Sequence, residues 1–106
     1  MAGYIIVDVE VNDPVRYQEY IRMVPATLAQ YGGRFLVRGG RAERLEGAWN
    51  PKRVVVLEFD TFERAREWWA SAEYGPARAL RQSASRAEMI VVQGAEPGEG
   101  TPVPRR

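Results

Sequence analysis

The chain has 106 residues, with 15 Lys+Arg against 14 Asp+Glu and a formal charge of +1. That length fits one compact domain and leaves no room for a second, and the near-zero balance argues against nucleic acid, which needs clustered positive charge. With no Cys and no His, disulfides, thiolate nucleophiles, imidazole bases, His-ligated haem and Cys- or His-ligated metals are excluded, so neither a metal nor a cofactor is expected. The opening run MAGYIIVDVEV is interrupted by Asp8 and Glu10, and no stretch approaches about 18 apolar residues. Neither a signal peptide nor a membrane partner is expected, and the protein reads as cytoplasmic.

Gly3–Val11 alternates, with Ile5, Val7, Val9 and Val11 on one face and Tyr4, Ile6, Asp8 and Glu10 on the other; period two with β-branched residues predicts a strand. Asn12-Asp13-Pro14 stops it and opens a helix, since Asp13 can accept from first-turn N–H groups and Pro14 needs no donor there. Tyr17, Ile21, Val24, Leu28 and Tyr31 make the apolar stripe of that helix. Pro25 removes a hydrogen bond to the Ile21 carbonyl, so a kink or break near Val24 is expected. Gly32-Gly33 ends the helix. A second strand follows at Arg34–Arg38, with Phe35 and Val37 on one face and Arg34, Leu36 and Arg38 on the other. Residues 41–53 have no clear period and are expected to form a long connection or an irregular hairpin. Val54–Phe59 is the third strand. Asp60-Thr61 then offers helix caps, and Glu63 would complete an Asp-x-x-Glu box if Asp60 is the cap. Phe62, Ala65, Trp69 and Ala72 give the next helical stripe, which must break around Ser71–Pro76 before a further stretch carrying Ala77, Leu80, Arg81 and Ala84. Glu88–Gln93 is the last strand. Residues 95–106, rich in Gly, Pro and charge, are expected to be disordered, leaving a domain over 1–94.

The order βαββαβ, with right-handed crossovers, predicts an α+β ferredoxin-like plait: an antiparallel four-stranded sheet with its helices on one face. The other face would carry Tyr4, Ile6, Asp8, Leu36, Arg38, Val54, Val56 and Glu58. A face this apolar is rarely left in water, and two such sheets packed together give a closed dimeric α/β barrel, so a homodimer is expected. Asp8, Arg38 and Glu58 would then line the space between sheets. Arg38 presents a planar fork suited to an anion, and Asp8 or Glu58 could act as general acid or base; an internal ion-pair network is the structural alternative.

The segments GYIIVDVEVNDPVRYQEY (Gly3–Tyr20), PATLAQYGGRFLVRGG (Pro25–Gly40), LEGAW (Leu45–Trp49), RVVVLEF (Arg53–Phe59) and AREWWASAEYGPARALR (Ala65–Arg81) resemble domain of unknown function 1330, a family of the dimeric α/β-barrel superfamily. The resemblance implies the plait and the homodimer, and no established activity. Its pattern points to Tyr17 and Tyr20, Gly32-Gly33, Arg38-Gly39-Gly40, Glu46-Gly47, Trp68, Ser71, Tyr74 and Arg81. The chain departs from the pattern at Asp60-Thr61, where the family has Pro-Ser, and at Gly75-Pro76, which interrupts a helix.

Tyr74 and Arg81, seven residues apart, would share a helical face. Ser71 could cap that helix or bond a ligand. Trp68 and Trp69 cannot both face inward, so one belongs to the core and one to a pocket mouth or the dimer seam. The expectation is a small-molecule pocket for an anionic or aromatic metabolite, with Arg38, Tyr17, Trp68, Ser71, Tyr74 and Arg81 as ligand-binding candidates. Superfamily relatives suggest cofactor-free oxygenation or isomerisation of an aromatic as an alternative, and a dimer without catalysis is a third reading.

Overall fold

In the computed structural model the described residues are 1–96. The disordered tail expected over 95–106 therefore falls, from residue 97 on, outside them. The alternating start of the chain forms β1 (Gly3–Val11). Asp13 then accepts from the Arg16 N–H at 3.2 Å and opens α1 (Pro14–Gln30). Of the kink or break expected near Val24, a break does not occur: α1 runs as one helix through Pro25. Val24, Thr27 and Leu28 around the proline are buried in the core, and such tertiary packing, more than local propensity, holds a helix together. Thr27 Oγ1 also donates to the Val24 carbonyl at 2.8 Å. Gly32 ends the helix at φ 72°, a backbone conformation that glycine adopts without a Cβ penalty.

β2 (Arg34–Arg38) and β3 (Val54–Phe59) follow, joined by a connection without helix or strand. α2 (Phe62–Ala70) is capped by Thr61, not Asp60: extended backbone at Thr61 brings its hydroxyl to the Arg64 N–H at 2.9 Å. The helical segment breaks where Gly75-Pro76 predicts, and resumes as α3 (Gly75–Ala84). β4 (Ser85–Gln93) begins three residues before the expected Glu88, because β1 offers pairing partners along its whole length, from Val11 opposite Ser85 to Gly3 opposite Gln93.

The sheet order is β2-β3-β1-β4 with every pair antiparallel, which is the ferredoxin-like plait. Ile5, Val7, Val9, Val55, Leu57 and Phe59 point from the sheet into the core and meet Tyr17, Val24 and Leu28 of α1 and Trp68 of α2. Ala65, Ala77 and Ala84 are fully buried, so the helices carry small side chains where they pack most tightly.

One irregularity reorganises the predicted faces. A β-bulge in β2 sets Phe35 opposite Leu57, Val37 opposite Val56 and Arg38 opposite Val55. One extra residue flips everything after it to the other side of the sheet. Val37 therefore does not lie under the helices as expected; it shares the open face with Leu36. Arg38 does not lie on the open face as expected; it shares the helix-covered side with Val55. The open face carries Tyr4 and Ile6 of β1, Leu36 and Val37 of β2, Val54 and Val56 of β3, and Ile90 and Val92 of β4. Leu36 is 50% exposed and Ile90 58%, so the face is both apolar and uncovered in the single chain. Among the described residues no helix is long and apolar enough to cross a membrane.

Candidate functional site

The bulge separates the predicted trio. Asp8 lies on the open side of the sheet, where its carboxylate accepts from the Trp49 indole at 2.8 Å and from the Lys52 and Arg53 backbone N–H groups at 2.8 and 3.0 Å. Glu58, on the same side, pairs with Arg34 and accepts from the Tyr4 hydroxyl at 3.1 Å. Arg38 approaches neither carboxylate, and its guanidinium stacks 4.0 Å from the Phe35 ring centroid.

Arg38 instead joins a small cavity between α1 and the sheet, of about 30 Å³. Tyr17 and Tyr20 enter it from α1, three residues apart on one helical face, with ring centroids 5.4 Å apart. Arg53 enters from the residue before β3, its guanidinium 5.7 Å from the Tyr17 ring and its Nε buried without a hydrogen-bond partner. Gly39 makes room for that side chain: its φ is 72°, and a Cβ there would collide with the Arg53 guanidinium. Arg81 of α3 completes the wall and is only 5% exposed.

Tyr74 ties α1 to α3. Its hydroxyl lies 2.8 Å from that of Tyr20 and accepts from Arg81 Nε at 3.3 Å. Trp68 backs the Tyr74 ring at 4.0 Å between centroids and donates its indole N–H to Thr27 Oγ1 at 3.0 Å. Ser71, taken from the sequence as a ligand candidate, is committed inside the protein: it donates to the Trp68 carbonyl and accepts from the Tyr74 N–H. The structure thus gathers Tyr17, Trp68, Arg81 and Arg38 around one space, with Tyr74 and Ser71 supporting it, and leaves Asp8 and Glu58 on the opposite side of the sheet.

A proton count shows what the cluster lacks. Tyr20 and Tyr74 carry two phenolic protons, and the bond between them uses one. The other is free to donate, and the Arg81 guanidinium stands beside both hydroxyls. Among the described residues Arg81 has no carboxylate in ion-pair range, and none of the residues lining the cavity is an Asp or Glu. Burial, with Tyr74 beside it, pushes the Tyr20 pKa far up, so the phenol stays protonated at neutral pH. Burial pulls the Arg81 pKa down and the two tyrosine hydroxyls outweigh it, so the guanidinium stays charged. The site is rich in donors and poor in acceptors.

A family model described as a domain of unknown function, DUF1330, matches residues 2–95. The chain belongs to the DUF1330 family. No curated protein matches it. Among solved structures the DUF1330 chain is similar to a protein of unknown function from Rhodopseudomonas palustris, at 17% identity over 91% of this chain and 84% of that one, with a TM-score of 0.72. It is also similar to SnoaB, a cofactor-independent oxygenase from Streptomyces nogalater, at 14% identity over 93% of this chain and 98% of that one, TM-score 0.61. A dimeric protein of unknown function and ferredoxin-like fold from Bacteroides fragilis matches at 14% identity over 88% and 96% of the two chains, TM-score 0.61. At such identities the likeness shows a shared fold.

Sequence reasoning missed Arg53 and Met89 as lining residues of this DUF1330 cavity and left Tyr20 to the family pattern. Arg53 sits at the end of an aperiodic connection, where the signal available was the neighbouring RGG turn at 38–40.

Proposed function

We propose that this DUF1330 protein binds a small anionic metabolite, holding the ligand's oxyanion on Arg81 and Tyr20 in the cavity beneath α1, with Arg38 and Arg53 adding positive charge. The observation that carries this reading is a wall with three arginines and no carboxylate. A buried cation without a counter-charge, or a buried donor without an acceptor, costs about 1–3 kcal/mol or more, and an oxyanion offsets that cost where it arises. The reading also includes a homodimer closed through the open sheet face, supported by the apolar residues exposed there and by the Bacteroides fragilis protein of the same fold, which is described as dimeric. The absence of cysteine suits a reducing, cytoplasmic setting.

Binding is preferred to oxygenation of an aromatic, which SnoaB brings to mind through fold alone. Proton abstraction needs a base near its substrate, and the carboxylates considered for that task, Asp8 and Glu58, stand across the sheet. Titration calorimetry with benzoate on the wild type, Arg81→Gln and Tyr20→Phe tests the reading, with thermal melts confirming that each variant folds. The wild type binds, Arg81→Gln loses binding, and Tyr20→Phe weakens it about 10- to 150-fold, the worth of one hydrogen bond to an ion. A folded Arg81→Gln that binds benzoate as well as the wild type overturns it; Tyr20→Phe supplies the same test if Arg81→Gln fails to fold.

A further inference from the structure

The cavity is too small for a whole metabolite. At about 30 Å³ it has room for roughly two water-sized atoms, the oxygens of a carboxylate and little else. The remainder of any ligand held there must lie outside it. A groove of about 970 Å³ opens between α2 and β4, and Arg81 and Met89 line both it and the cavity. The groove exists because the helices stop short of the edge strand: Ala87, Met89 and Val91 of β4 are only partly covered. Trp69, 40% exposed, forms part of its far wall. Spaces of roughly this size hold drug-sized ligands when lined by apolar groups around a few polar ones.

We infer that the ligand is an amphiphilic monocarboxylate whose head meets Arg81, the residue common to both spaces, while its apolar body lies in the groove along Met89, Val91 and Trp69. This deepens the anion-binding reading and rests on it. Charge sets the number of carboxylates. Glu63 and Glu67 line the groove against Arg66, so the space beyond the Arg81 end has an acidic balance and repels a second negative group.

The test is a calorimetric series on the wild type with acetate, butyrate, hexanoate and octanoate, together with octanol and the dicarboxylate suberate. Affinity rises about 3- to 4-fold for each methylene buried. Octanoate outbinds both octanol and suberate by at least tenfold, and Trp69→Ala, an exposed position that a melt will show to be folded, flattens the series. Equal affinity for acetate and octanoate, or for octanoate and suberate, overturns the groove assignment while leaving the Arg81 reading standing. Failure of every carboxylate to bind removes both.

Discussion

Asp8 fastens the 41–53 connection to the sheet. The small burial it has pushes its pKa up, and the Trp49 indole with the Lys52 and Arg53 backbone N–H groups outweighs that push, holding it below the usual carboxylate value. A group whose folded pKa is depressed contributes stability that is complete above its unfolded value, about 3.9, and is lost as pH falls through the folded one. Asp8→Asn is therefore expected to destabilise the protein at pH 7 by about 1 kcal/mol, modest because the carboxylate remains near solvent. Urea denaturation of both proteins checks this: the gap narrows and closes as the pH falls from neutral to well below the usual carboxylate value. A gap of equal size at both pH values would show that charge is not what the connection needs. At this scale Tyr74 and Arg81 were reached through the family pattern, and the seven-residue spacing gave them one face only on an unbroken helix; Tyr74 stands at the N-cap of α3 instead, and the hydrogen bond between the two is made. Arg53 was not legible, since its place depends on the backbone turn at Gly39 rather than on any period.

The elements were the most readable level, and their failures have physical reasons. β1 and β3 alternate cleanly and were placed at their observed bounds. β2 alternates just as cleanly as RFLVR, yet its bulge reverses the sides of Val37 and Arg38. Leu36 and Val37 are both apolar, so nothing in their chemistry marks where an extra residue enters; pairing with β3 decides it. That single slip turned an arginine of the site into a supposed member of a trio with Asp8 and Glu58. Pro25 is the converse case, a local breaking signal overridden by the burial of its neighbours. The break between α2 and α3 was readable because Ser71 and Gly75-Pro76 act together there, the serine side chain closing the turn onto Tyr74.

For the whole molecule, the two faces of the sheet differ: one covers the donor-rich cavity, and the other is apolar and uncovered in the single chain. Patches of exposed apolar surface beyond a few hundred Å² are uncommon on monomers. Multi-angle light scattering at micromolar concentration is expected to return twice the mass of the chain, and Ile90→Asp, on the β4 edge of that face and 58% exposed in the single chain, is expected to return one. A wild type at the mass of one chain would remove the dimer and leave the cavity, which one chain builds alone. The most direct measurement of the central claim is the side-chain Nε–Hε resonance of Arg81, followed by NMR as benzoate is added. A saturable shift at Arg81, with the surface residue Arg86 unmoved, is the predicted result; an Arg81 signal that stays fixed, or moves only in step with every other arginine, contradicts it.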